Sequence, residues 1–276
     1  MTVEFVRRHG ARRIALLALA GLVVLSMGSG RAARAALLEP GGQQPTIVLV
    51  HGAWADSSSW NAVTQQLQDQ GYTVVAPANP LRGLQPDAAY LSTVLASISG
   101  PIVLVGHSYG GMVMTDAAPG NPNVRALVYI AAFAPDAGET VATIEAMNPG
   151  SEVGLSSLTL RPYPGGVDAY ITPNVFHRVF CADVPPQTAS LMAATQRPLD
   201  AAVEAEPSGP PAWRTIPSWY LVASDDRAIP PATERYMAKR AGAATVEIAS
   251  SHVAMISHPA AVTALVLEAV RATSHQ

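Results

Sequence analysis

The tightest constraint on this 276-residue chain is a join in the sequence. The apolar run of residues 101–105 (Pro-Ile-Val-Leu-Val) passes directly into Gly106-His107-Ser108-Tyr109-Gly110-Gly111, and small and apolar residues continue to Ala118. A buried strand, a tight turn carrying one serine and a closely packed helix form the setting of a G-x-S-x-G nucleophile elbow. Glycine on each side matters because the serine backbone is strained there, and a neighbouring Cβ would block close approach of chain and substrate. The bare pattern also arises by chance in chains with this much Gly and Ser; the strand before it supplies the specificity. Ser108 is therefore the candidate nucleophile.

Short apolar runs of the same kind recur at residues 47–50, 73–76, 124–130, 219–222 and 245–248. Between them lie helical patterns: Trp60, Val63 and Leu67, ending at Gly71, and Leu91, Val94, Leu95 and Ile98, ending before Gly100-Pro101. A last helix begins near Pro259, with Ser257 as its expected cap, and carries Val262, Leu265, Val266 and Val270. Alternating strand and helix predict an α/β fold with a mainly parallel central sheet covered by helices on both faces. One interval breaks the alternation. Residues 135–213 are rich in Pro and Gly, lack a clear apolar strand and show weak helical patterns only near 141–147 and 189–194. A structureless loop of that length is improbable inside a compact domain, so the interval reads as a lid over the strand ends.

The first 35 residues read as an address. Arg7, Arg8, Arg12 and Arg13 precede the apolar stretch 14–27, and Ala33-Arg34-Ala35 offers a cleavage site, so the expected domain is 36–276 and the expected destination is secreted or periplasmic. The stretch is shorter than the roughly 18 residues of a membrane span, and no stable membrane insertion is expected after its removal. Without this segment 11 basic residues face 19 acidic ones, about −8, which offers no basic patch for nucleic acid. Cys181 is the only cysteine, so no intramolecular disulfide forms and burial must supply the stability. No His-Glu-x-x-His, paired cysteines or Gly-Lys-Ser/Thr phosphate loop occurs, and neither metal nor cofactor is expected.

A serine hydroxyl needs a base, and the base needs an orienting carboxylate. Of seven histidines, His252 follows the run 245–248 through a short loop, at the strand end where active sites of open parallel sheets gather. His107, adjacent to Ser108, should point away from the serine at the turn; His51 ends the first strand and reads as a loop-holding residue. In the order Ser, acid, His, the carboxylate falls at Asp225 or Asp226, directly after the run 219–222, with Asp136 after the preceding strand as an outside candidate, and position alone does not rank Asp225 against Asp226. The oxyanion hole takes one backbone N–H from the residue after the nucleophile, Tyr109, and one from the loop after the first strand, where Ala53 is the expected donor and Trp54 the fallback.

These residues resemble the α/β-hydrolases over nearly the whole of 36–276. His51-Gly52-Ala53, the Gly106 to Gly111 elbow, Ala132-Phe133-Ala134-Pro135-Asp136 and Ser251-His252-Val253-Ala254-Met255 are similar to the branch containing plant methylesterases and hydroxynitrile lyases. Gln196-Arg197-Pro198 and Asp225-Asp226-Arg227-Ala228-Ile229-Pro230 resemble its bacterial hydrolases more closely. The resemblance implies Ser108 as nucleophile, His252 as base and Asp226 as acid. Lyase members use a threonine after the first-strand histidine and a lysine after the catalytic histidine; here those places hold Gly52 and Val253, which favours ester hydrolysis. The expected activity is hydrolysis of a small carboxylic ester through an acyl-enzyme. The alternatives are a carbon–carbon lyase or perhydrolase on the same triad, or a ligand-binding protein on a hydrolase scaffold.

Overall fold

The computed structural model describes residues 43–273; the export signal read over residues 1–35 lies outside them. The chain runs β1 (Thr46–Val50), α1 (Asn61–Gln68), β2 (Val74–Val75), α2 (Leu84–Ala96), β3 (Ile102–Ser108), α3 (Tyr109–Ala117) and β4 (Val124–Ala132). After a long excursion it closes with β8 (Ser218–Ala223), α7 (Pro231–Arg240), β9 (Ala244–Ile248), α8 (Ala254–Ser257) and α9 (Pro259–Thr273). Six strands form one sheet in the order β2-β1-β3-β4-β8-β9, every neighbouring pair parallel.

Every residue of β3 is buried, which is why it reads as an unbroken apolar run: a strand covered on both faces has no solvent side to make polar. The chain leaves β1 toward β2 on one side, then crosses back through β3 to β4 on the other. The ends of β1 and β3 therefore flank the reversal of strand order, where open α/β sheets bind ligands. Pairing of Val50 with Gly106 sets the end of β1 level with the turn at Ser108.

The excursion between β4 and β8 folds. It contains α4 (Val141–Glu145), β5 (Leu158–Tyr163), β6 (Gly166–Ile171), α5 (Pro173–Phe180), α6 (Pro186–Thr195) and β7 (Leu199–Asp200), the three strands forming a small antiparallel sheet. The expected helical patterns are α4 and α6; the hairpin β5–β6 and helix α5 are additions. The hairpin turns at Pro164-Gly165, with Gly165 at φ +107°, and Pro162 is tolerated because β5 is an edge strand. Ser257 does not cap the last helix as expected: it ends α8, and the α9 amides of Ala261 and Val262 bond the carbonyl of His258 instead.

Backbone crowding fixes the join between sheet and α3. A Cβ on Gly110 would lie 2.5 Å from the Val50 carbonyl oxygen and 2.8 Å from that of His51. Neither backbone atom can yield without disturbing β1. Gly110→Ala is thus expected to lower unfolding free energy by about 1–3 kcal/mol in denaturant titration. Gly154→Ala, whose Cβ meets nothing within 4 Å, should stay within about 0.5 kcal/mol of the parent.

Candidate active site

Ser108 has φ +53° and ψ −127°, outside the regions L-residues favour. Such a conformation costs on the order of 1–3 kcal/mol and persists only where the surroundings impose it. Here β3 leads in, and α3 starts at Tyr109 with Gly110 and Gly111 pressed against the backbones of Val50 and Phe133. Ser108 is 4% exposed. It lines a cavity of about 20 Å³ with Ala53, Trp54, Tyr109 and Phe133, and its hydroxyl has no hydrogen-bond partner among the described residues.

Asp226 and His252 meet at the ends of β8 and β9. Nδ1 of His252 lies 2.5 Å from Oδ2 of Asp226, and both side chains are fully shielded from solvent. Oδ1 of Asp226 accepts the amides of Ala228 at 2.6 Å and Ile229 at 3.0 Å, so every lone pair of the carboxylate that faces protein is directed. Asp225 is exposed. Since Nδ1 holds the proton toward Asp226, Nε2 of His252 is left as acceptor; it is buried with no partner. The structure does not join Ser108 to His252 by a hydrogen bond, so each keeps one unfilled valence.

Ala53 and Tyr109 line the same cavity as Ser108. Tyr109 is the first residue of α3, whose leading N–H groups have no intrahelical acceptor. Between the two candidate donors of the first loop the backbone decides: the Trp54 N–H donates to the Arg197 carbonyl at 3.1 Å and is used up. Gln196 holds that carbonyl in place, its side-chain amide accepting from Ile171 N–H and donating to Ile171 C=O, both at 2.9 Å. Gly52 is sterically required, because a Cβ there would lie 2.6 Å from the Cβ of Ser108.

Several partners were invisible in the sequence. His107 donates Nε2–H to the carbonyl of His252 at 2.9 Å, and burial drives its ring well below the ordinary histidine pKa, so it is a neutral, fixed donor. His51, pushed down to about 4 by burial, donates Nδ1–H to Gly52 C=O and accepts the Asn79 amide at Nε2, holding the loop as expected. Asp183, between α5 and α6, takes Ser251 N–H at 3.0 Å and the hydroxyls of Ser250 and Ser251, clamping the loop before His252. Glu234 of α7 is wholly buried; one oxygen accepts the Ala223 amide at 3.1 Å, and the other has no N–H or O–H donor and faces Asp226. Burial first, and the Asp226 charge next, raise its carboxyl well above the usual range. Nothing in residue type distinguished it from a surface glutamate. Among the described residues no group of three or more His, Cys, Asp or Glu is arranged to hold a metal.

Residues 47–265 match the family described as "Alpha/beta hydrolase family". The chain is 34% identical over 108 residues to a carbendazim hydrolyzing esterase of Nocardioides sp., covering 34% of this chain and 45% of that protein, less than half its length. It is 30% identical over 245 residues to a pyrethroid hydrolase of Sphingobium wenxiniae, covering 77% of this chain and 83% of that protein. Among solved structures, polyneuridine aldehyde esterase superposes with a TM-score of 0.68 at 22% identity, over 82% of this chain and 99% of that one. With the fold, the family match and these relatives in agreement, the chain belongs to the alpha/beta hydrolase family.

Proposed function

We propose that this hydrolase cleaves a small carboxylic ester through a covalent acyl-enzyme on Ser108. The observation that carries the reading is the buried 2.5 Å pairing of His252 Nδ1 with Asp226 beside a serine held at positive φ. Nε2 of His252 takes the Ser108 proton as Oγ attacks the ester carbonyl, and the imidazolium that forms is stabilised by Asp226. The amides of Ala53 and Tyr109 receive the negative charge that develops on the carbonyl oxygen, each worth about 3 kcal/mol of transition-state stabilisation. His252 returns the proton to the leaving alcohol. Water then attacks the acyl-enzyme with the same base, releasing the acid and restoring Ser108.

Relatives named for carbendazim and pyrethroid hydrolysis support an ester-type substrate. The lyase alternative lacks its two extra groups. Gly52 has no room for a side chain, and Val253 is a buried apolar residue at the start of α8.

Ser108→Ala should lose about 10,000-fold or more in kcat on activated esters, and a fluorophosphonate should label Ser108 of the parent; an unlabelled serine with full turnover in the variant overturns the reading. Asp226→Asn should lower kcat by about 10,000-fold, since the imidazole then prefers the wrong tautomer, whereas Asp225→Asn stays within about twofold. His107→Phe removes the donor to the His252 carbonyl and should cost about tenfold in kcat, or ~1.4 kcal/mol. His107→Gln, which restores a donor, should recover most of that loss in the same steady-state assay.

A further inference from the structure

Tyr109 follows Ser108 at the start of α3 and lines the cavity beside it. Its ring is buried, and its phenol reaches α2, donating to Oδ2 of Asp87 at 2.9 Å. Asp87 sits in the first turn of that helix, wholly shielded from solvent, and its other oxygen accepts the Arg82 amide at 3.1 Å. Backbone amides and the phenol, rather than a basic side chain, hold this carboxyl. A buried carboxyl is costly unless its hydrogen bonds are kept, so its partners are held where it needs them. Burial, and then the Asp87 charge, push the phenol far above its ordinary range, so it stays a donor.

The loop that leads to Asp87 is fixed in turn by the excursion between β4 and β8. Leu81 is buried at φ +61°, a conformation that a leucine keeps only where its surroundings impose it. Its carbonyl accepts the Asp200 amide of β7 at 3.0 Å, the Arg82 guanidinium pairs with Asp168 of β6 at 2.5 Å, and the Leu84 N–H donates to Glu206. A continuous set of bonds therefore runs from the small antiparallel sheet through residues 81–84 and Asp87 to the residue after the nucleophile.

An oxyanion donor works only when it is aimed at the developing charge, within about 0.5 Å of the productive position. Gly110 and Gly111 follow Tyr109 and lend the first turn of α3 little stiffness of their own; close packing against Val50 and Phe133 fixes them. On Tyr109 itself the polar tether is the phenol. We infer that Asp87 and the Tyr109 hydroxyl are positioning groups for the oxyanion hole, setting the backbone amide of Tyr109 through the side chain of the same residue. Under the acyl-enzyme reading, on which this rests, a buried pair that never touches substrate ties the aim of that amide to the docking of the excursion on residues 81–84.

Tyr109→Phe in the full chain removes the hydroxyl and keeps the ring and the backbone amide. With 4-nitrophenyl acetate it should lower kcat about tenfold while KM stays within about twofold. Inhibition by trifluoroacetophenone, whose carbonyl carbon takes up Ser108 Oγ and leaves an oxyanion, should weaken by the same factor. Asp87→Asn, which keeps an acceptor for the phenol, should fall between the parent and Tyr109→Phe in both measurements. Tyr129→Phe is the matched control, because Tyr129 is also buried and its hydroxyl bonds Thr115 in the second turn of α3 at 2.8 Å. It should lose as much Tm as Tyr109→Phe, about 2–4 °C, yet keep kcat and ketone affinity within about twofold. An active parent whose Tyr109→Phe variant keeps both values, or loses no more than Tyr129→Phe, overturns the positioning role and leaves hydrolysis standing; Asp87→Asn decides by the same criterion if Tyr109→Phe does not fold. A folded parent that neither cleaves the ester nor binds the ketone overturns the hydrolase reading and the positioning role with it.

Discussion

The positive φ of Ser108 depends on three backbones meeting with no side chain between them. Gly52 lies against Ser108 itself, Gly106 against Gly111, and Gly110 against the last carbonyls of β1. Each contact is closer than a Cβ permits, so the strain at the serine is held by close packing on every side rather than by one hydrogen bond. The same crowding determines what surrounds the serine. With β1 drawn up to the turn by the pairing of Val50 with Gly106, the loop after β1 must pass directly in front of Ser108, which brings Ala53 to the cavity.

Charge is distributed unevenly around this point. Asp226 is buried with two backbone amides and one imidazole as partners, and near it burial raises the Glu234 carboxyl well above the usual range. The arrangement places the Asp226 carboxylate, held by fixed backbone dipoles, against the His252 ring, the geometry that the proposed proton transfer uses. A second ionised carboxylate at the position of Glu234 would compete for that solvation and raise the cost of burying both. Glu145 and Glu204 also line the cavity, and burial raises both carboxyls.

The inner strands of the central sheet, β1, β3, β4 and β8, were legible because they are buried on both faces, and continuous apolar runs leave little ambiguity between residues 102 and 105 or 219 and 222. The hairpin was not. β5 is half exposed and carries Arg161 and Pro162, and β6 places Asp168 among apolar residues, so neither shows a clean period of two. Helix α5 did carry a readable face, Val175, Phe176, Val179 and Phe180, but it is only eight residues long and begins at Pro173, within a stretch dominated by turn signals. The candidate site was legible at the level of residue type and chain order. It was not legible where tertiary neighbours decide: Asp226 differs from Asp225 by burial, and Ala53 from Trp54 by a carbonyl that Arg197 supplies from far along the chain. His107 and Glu234 act through partners 145 and 8 positions away, and no local pattern encodes either distance.

That carbonyl also shows why the excursion is more than a cover. Trp54 is pinned twice by it, through its amide to Arg197 and through its indole N–H to Ala169 at 2.9 Å. Phe180 of α5 lies edge-on to Trp54 at 6.0 Å and tilted against His252 at 5.2 Å, while Asp183 binds the serines that precede His252. One folded segment therefore sets the position of the loop after β1, of His252 and of part of the cavity wall together. A substitution that shifts α5 cannot reshape the pocket alone; it must also move the imidazole or the loop that presents the Ala53 amide. Cavity shape and the placement of His252 are mechanically linked in this chain, whereas side chains such as Glu145 and Glu204 line the cavity without bonding to the segments that hold Ser108 and His252.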